Sequence, residues 1–366
     1  MNRQRSYVAI VTCVALALLG SWLGIRFYGV AHRPAAKLSD HEFWELVVSF
    51  SEPGGEFRSA GAVRADNLVS NERSFQQVIP ALGDAVSRGA YLGVGPEQNF
   101  TYITALKPTL AFVIDIRRDN MLLHLMYKAL IEMSADRVEF LSHLFARPRP
   151  AGAGHDSTVQ AIFDAFKPVP YSEELASKHL LAIFDRLERV HGFTLSHEDE
   201  RSIKGAYDSF CTGGPDIRWD SSGDSWIPSY VDLMAETDPR GQRHSYLASA
   251  ESFGILKEYE ANNHIVPLVG DFAGDKTIRA VGRYLKNRGA TVSTFYTSNV
   301  EGYLRGSGPI HFIENVSTLP LDEHSLFIRT RFKTVGFAQA RPEYQTVTTT
   351  DPMLPWVNAF KRSQTQ

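Results

Sequence analysis

The stretch YLGVGPEQNFTYI, residues 91–103, decides how the rest of the chain is read. A short apolar run passes into two glycines, a proline and three polar residues, then into a helical pattern. A plain surface turn needs fewer special residues. A loop whose backbone approaches a ligand needs small residues in about this order, because a Cβ at the strand end blocks the approach. AYLGV predicts a buried strand, and QNFTYITALK predicts a helix that stops near Pro108. LAFVIDI, residues 110–116, predicts a second buried strand, apolar at consecutive positions as parallel strands covered on both faces are. Asp119 is placed to cap the following helix, whose apolar face runs Leu122, Leu125, Met126, Ala129 and Met133. Residues 90–134 are therefore a strand–loop–helix–strand–helix unit, the repeating piece of a parallel sheet with right-handed crossovers.

Working outward, Ser39 or Asp40 caps a helix through HEFWELVVSF, and SFQQVIPALGDAVSRG predicts a helix ending at Gly89. Between them SEPGGEFRSAGAVRADNLVSNE, residues 51–72, is too irregular for a strand or helix and reads as a lid or an ordered loop, with Asn67, Ser70, Asn71 and Glu72 as its polar face. RPRPAGAGHDSTVQ is a hinge, followed by two helices, YSEELASKHLLAIFDRLERVHG and SHEDERSIKGAYDSFC, the second capped by Ser196. These form a helical insertion at about residues 150–215. The α/β alternation then resumes: helix SYLASAESFGILKEYEAN, strand HIVPLVGDF, helix DKTIRAVGRYLKNRG, strand TVSTFYTS and a short helix NVEGYLR. HFIENV and SLFIRT are expected as late strands, an antiparallel closing pair, with an irregular polar tail after them.

The N-terminus carries a separate signal. Residues 7–25 (YVAIVTCVALALLGSWLGI) are 19 residues without a charge, close to the roughly 20 that a helix needs to cross a bilayer. An uncleaved single-pass anchor in a bacterial inner membrane is the expectation, and a cleaved signal with Gly29 and Ala31 before the cut is the rival. Arg3 and Arg5 on one side face Arg26, Arg33 and Lys37 on the other, which leaves the orientation open. The expected organisation is an anchor or signal helix at 1–30, a linker at 31–44, an α/β domain at 45–336 and a tail at 337–366. A net charge of −3 and the absence of a long basic block give no support to nucleic-acid binding. Cys13 lies in the apolar run, so Cys211 stands alone in the globular part and no internal disulfide forms there. No HExxH, Cys–His metal spacing, GxSxG or Walker lysine motif is present, and no metal is expected. His124 and His143 read as packed or surface residues of helices.

The chemistry gathers at the expected strand ends. Gly93 and Gly95 make room for a cofactor, and Glu97 and Asn99 complete the loop. Asp115 ends the second strand about 20 residues on, where an acid accepts hydrogen bonds from two ribose hydroxyls. Pro96 and Glu97 sit badly against a pyrophosphate, whereas Glu97 suits the sulfonium cation of S-adenosylmethionine. Arg117 and Arg118 cut the other way, as phosphate partners or as partners of Asp119. Asp271, with Gly270 and Gly274 leaving space beside it, ends a later strand and is a candidate for the acceptor side, as are Asn299 and Tyr303. Each has a plain alternative, a helix cap or a surface helix.

Taken together, SEPGGEFRS, DNLVSNE, YLGVGPEQNFTYI, FVIDIRRDN, LLHLMYKAL, SYLASAESF, PLVGDFAGDKTIRAVGRYL, FYTSNVEGYL and LFIRT resemble a family of uncharacterised bacterial proteins. That family has a methyltransferase-like, Rossmann-like fold, and the resemblance covers roughly residues 45–335. It implies a mostly parallel sheet and a cofactor crevice at Gly93, Gly95, Glu97 and Asp115, and it supplies no acceptor substrate. AGAVRA reads as an insertion, and Glu56 stands where an aromatic is expected, so the lid geometry departs from the pattern. The expectation is a membrane-anchored, adenosylmethionine-binding methyltransferase-like protein. A non-catalytic ligand-sensing or interaction module on the same fold and an NAD-binding oxidoreductase are its rivals.

Overall fold

The computed structural model describes residues 36–57, 67–83, 89–219, 227–335 and 343–364. The run 7–25, on which the anchor expectation rests, lies outside them. Among the described residues no helix is long and apolar enough to cross a membrane.

The fold is α/β, with one six-stranded sheet in the order β3-β2-β1-β4-β5-β6. The strands are β1 Ala90–Gly93, β2 Ala111–Asp115, β3 Ile265–Val269, β4 Val292–Ser298, β5 Leu326–Val335 and β6 Glu343–Pro352. The first five are mutually parallel, and β6 runs antiparallel to β5. From β1 the chain moves outward to β2 and β3, then returns to build β4 and β5 on the other side. That reversal opens a crevice over the carboxyl ends of β1 and β4, where open α/β sheets bind their ligands.

The main helices are α1 Asp40–Phe50, α2 Gln98–Leu106, α3 Arg118–Met133, α4 Arg137–Phe145, α5 Val159–Phe166, α6 Glu173–Phe184, α7 His197–Gly213, α8 Tyr230–Ala235, α9 Ala250–Ala261, α10 Thr277–Asn287, α11 Gly308–Ser317 and α12 Met353–Ser363. Ser39 caps α1 in a reciprocal box with Glu42, and Ser196 caps α7 with Asp199. The inserted helices are tied to the sheet layer by Arg118 on α3, whose guanidinium donates to both oxygens of Asp199 on α7 at 2.6 and 2.8 Å. This pair holds the Asp199 carboxyl down to about 2.

Four expectations are corrected. HFIENV is not a strand: it lies in α11, where Pro309 near the helix start fixes φ and Phe312, Ile313 and Val316 bury one helical face. The closing partner of β5 is β6, built from residues expected as an irregular tail. Its QTVTTT run lacks apolar alternation but is rich in β-branched residues, which favour strands. Asp119 does not cap α3: Arg117 holds the cap position without a side-chain capping bond, and Asp119 accepts from Ser202 Oγ at 2.7 Å. Among the described residues of SFQQVIPALGDAVSRG the helix is two short turns, Phe75–Val78 and Ile79–Leu82, ended at Gly83 (φ +57°), and residues 84–88 fall outside the description.

The segment after α1 closes the outer edge of the sheet. Glu52 N donates to the Val269 carbonyl at 2.9 Å, Ser51 Oγ accepts from Val269 N at 3.0 Å, and Gly55 N donates to the Ile116 carbonyl at 2.8 Å. The Glu52 carboxylate then accepts from the backbone N–H groups of Asp271, Lys276 and Thr277 at 3.2, 2.8 and 2.9 Å. It fills the start of α10, where exposed donors and the helix dipole favour an anion. Glu52→Ala is expected to destabilise the chain by about 1–2 kcal/mol, the loss of a helix cap. Urea denaturation measures this, and an unchanged midpoint would contradict the capping role.

Candidate functional site

The loop after β1 is braced from beneath by its own helix. Asn99 Nδ2 donates to the carbonyls of Val94, Gly95 and Pro96 at 3.0, 3.1 and 2.8 Å. Its Oδ1 accepts from the Tyr91 hydroxyl at 2.8 Å. A Cβ on Gly93 would collide with that Oδ1 and with the Tyr91 ring, so this glycine makes room for the brace. Gly95 has φ +79°, a conformation that a side chain would strain. His124 Nε2 stands 2.9 Å from the Gly95 carbonyl, which can only accept, so this nitrogen carries the proton. Burial pushes the His124 ring down to about 4 and keeps it neutral.

Above the loop lies a cavity of about 500 Å³. It is lined by the β1 loop, the ends of β2, β3 and β4, the segment 67–72, and the side chains of Phe57, Trp219 and Arg305. Of the residues singled out from sequence, Gly95, Asp115, Asp271, Asn299 and Tyr303 line it together. Gly93, Glu97 and Asn99 do not; they lie beneath the loop.

Glu97 departs furthest from its expected place beside a cationic ligand. It is fully buried, with Oε1 accepting from Ser70 N at 3.2 Å and Oε2 without a partner among the described residues. Burial pushes its carboxyl up to about 8, so it is an uncharged acid at neutral pH.

Asp115 holds Arg117 in a two-pronged contact. Its Oδ1 accepts from Arg117 N and Nε at 2.9 and 3.2 Å, and its Oδ2 accepts from Nη2 at 3.1 Å. Arg117 is thus a partner of Asp115, and Arg118 of Asp199, with Asp119 adding to the field at Arg118 through its charge. The space beside Gly270 and Gly274, expected for a ligand, is taken by the chain itself. A Cβ on Gly270 would meet the Thr277 side chain, and one on Gly274 would meet the Glu52 carboxylate. Asp271 Oδ1 accepts from Ala273 N at 2.9 Å, a local turn rather than a helix cap, and Asp271 still faces the cavity.

The roof is the segment 67–74, entered at Asn67 (φ +49°) and left at Ser74 (φ +65°). Asn67, Ser70, Asn71 and Glu72, the polar face read from sequence, all line the cavity. Glu72 latches the roof to the sheet. Its Oε2 accepts from Tyr296 OH at 2.7 Å and Thr330 Oγ1 at 2.6 Å, and its Oε1 accepts from Ser298 Oγ. Burial pushes the Glu72 carboxyl above its ordinary range, and the three hydroxyls pull the other way. Ser298 adopts φ +52° where the β4–β5 register shifts, which brings its hydroxyl to the latch. Sequence reasoning missed these partners, and also Phe57, Trp219 and Arg305. Tyr303 packs edge-on against Phe57, centroids 5.0 Å apart. Nothing local pairs Glu72 with residues more than 220 positions away.

Comparison with known proteins places the chain in one family. It belongs to the family described as Domain of unknown function (DUF7790), whose model matches residues 67–356. That span takes in the roof segment, all six strands and the cavity-lining residues other than Glu56 and Phe57. No curated protein matches the chain at a significant level.

The buried acid under the loop has a pH signature. Glu97 has an ordinary value of 4.5 and a folded value of about 8, so the folded chain binds the extra proton between them. Its contribution to stability is complete below 4.5 and is lost as pH rises toward about 8. Glu97→Gln, which keeps the shape without the titration, should flatten that fall. Thermal unfolding followed across this range checks it, and an equal slope in the variant would contradict the assignment.

Proposed function

We propose that the crevice binds S-adenosylmethionine and that the chain is built as a methyltransferase. The observation that carries this reading is the charge and position of the cavity. It lies at the strand-order reversal, with Asp115 at the end of β2, and both guanidinium groups that line it are already engaged. Arg117 is held by Asp115, and Arg305 donates to the Gly302 and Leu304 carbonyls at 2.7 and 3.2 Å. The start of α10 is filled by Glu52. A pyrophosphate would enter beside Asp271, in a wall that also carries the Glu72 and Asp115 carboxyl side chains. A sulfonium nucleoside gains from the same wall. This favours adenosylmethionine over NAD.

The sheet supports the finer, Rossmann-like reading. Five parallel strands in the order 3-2-1-4-5 with an antiparallel strand beside the fifth is a strand order that methyltransferase sheets share, which favours this reading. In this account Gly95 lets the cofactor approach, and Asp115 receives a ribose hydroxyl on the Oδ2 lone pair that Arg117 leaves open. Gly93, Glu97 and Asn99 act from below by fixing the loop. Methyl transfer needs chiefly the in-line placement of nucleophile, methyl carbon and sulfur, so few side chains must react. Asp271, Asn299 and Tyr303 would orient the acceptor or take its proton. Attachment to a bacterial inner membrane through residues 7–25, with the domain on the cytoplasmic side where adenosylmethionine is made, belongs to the same proposal.

A second reading is a non-catalytic ligand-sensing module on this fold. The Asp115–Arg117 ion pair favours it, because the carboxylate is already satisfied without a ligand. Calorimetric titration of the 366-residue chain with adenosylmethionine, adenosylhomocysteine and NAD separates the readings. The first two should bind, and Asp115→Ala should weaken both by about tenfold or more, the loss of charge-assisted hydrogen bonds. Heat with NAD alone would overturn the cofactor assignment, and no heat with any of the three would favour the module.

A further inference from the structure

The cofactor leaves part of the cavity wall unexplained. At the β4 end two carboxylates, Glu72 from the roof and Asp271 from the β3–α10 loop, face the same space. Among the described residues neither has a cationic partner. The partners of Glu72 are three hydroxyls, and burial pushes its carboxyl above its ordinary range, so a cation placed beside it would stabilise the ionised form. The Asp271 Oδ2 has no partner among the described residues.

A second, independent observation points the same way. Gln98 lines the cavity and is only 3% exposed. The Tyr296 hydroxyl gives its proton to Glu72, so it accepts from Gln98 Nε2 at 3.1 Å. This fixes the amide and leaves Gln98 Oε1 as a carbonyl acceptor without a donor among the described residues. A buried acceptor left unpaired is costly, and a ligand N–H relieves it. The Phe57–Tyr303 pair adds an aromatic wall, which attracts cations. A carboxylate ligand would be repelled here, and a neutral hydroxyl would make a weaker hydrogen bond to these acids than an ammonium does.

We propose that the methyl acceptor is an amine, read by Asp271 and Glu72 and packed against Phe57 and Tyr303. The inference rests on the methyltransferase reading. The amine arrives as an ammonium and gives a proton to Asp271. Its lone pair then attacks the methyl carbon in line with the carbon–sulfur bond. That bond's electron pair stays on sulfur, so the sulfonium becomes the thioether of adenosylhomocysteine and the product leaves as an N-methyl ammonium. A cation beside Glu72 also draws that carboxyl back toward its ionised form, against the push of burial.

The test uses three matched aromatic probes: tyramine, the alcohol 4-hydroxyphenylethanol, and 4-hydroxyphenylacetate. Each is titrated into the 366-residue chain saturated with adenosylhomocysteine, whose own binding is measured first on the same sample. Tyramine should bind about tenfold or more tighter than the alcohol, and the acid weakest, as charge-assisted pairing requires. Asp271→Asn should remove the preference while adenosylhomocysteine still binds, and Glu72→Gln should remove it too in a chain that still melts cooperatively. Asp271 sits at a half-buried loop position, which keeps the test available should Glu72→Gln fail to melt cooperatively. Equal binding of amine and alcohol, preference for the acid, or no binding of any probe overturns the amine assignment alone. If adenosylhomocysteine does not bind, the cofactor reading falls, and the probe order on the unloaded chain still decides the amine site.

Discussion

The site depends on one buried carboxyl. Glu72 reaches from the roof into the sheet and meets hydroxyls on β4 and β5. A buried carboxyl without hydrogen-bond partners costs several kcal/mol, so the three donors determine where the roof can sit. Tyr296, one of the three, also holds the first residue of α2 through Gln98. The roof, the β1 loop and the β4 end are therefore set by one chain of contacts. The left-handed Ser298 and the shifted β4–β5 register are the local distortions that complete it.

Below that chain sits a second one, built of neutral groups. Asn99 gathers three carbonyls of the loop, Tyr91 and His124 complete the set, and Glu97 lies protonated among them. The arrangement gives the loop a fixed shape without placing a charge under it. The loop's glycines then divide into two roles. Gly93 is small so that Asn99 fits, and Gly95 is small because its backbone is left-handed at the cavity wall.

Much of this was legible in the sequence where the cause is local. The buried strands β1 and β2, the helix between them and the strand-end acid Asp115 follow from periodicity and glycine placement. The polar face Asn67, Ser70, Asn71 and Glu72 was legible as a lid because nothing else in that segment could form a regular element. What was hidden depends on residues far apart in the chain. Glu97 is adjacent in sequence to residues that line the cavity, yet its side chain turns inward, a choice set by packing rather than pattern. HFIENV is expected as a late strand, yet its apolar residues Phe312, Ile313 and Val316 stand at helical spacing and bury one face of a helix that Pro309 helps to start. The edge strand β6 carries threonines where an apolar alternation would have announced it.

The central claim is that one ligand, an adenosyl nucleoside, fills the space between the braced loop and the latched roof. Hydrogen–deuterium exchange with and without adenosylhomocysteine tests it most directly, because it reads each wall of the cavity separately. The account predicts slower exchange on binding at residues 67–72, 94–99 and 115–117, with the inserted helices unchanged. Protection confined to other parts of the chain, or none at these three segments, would contradict it.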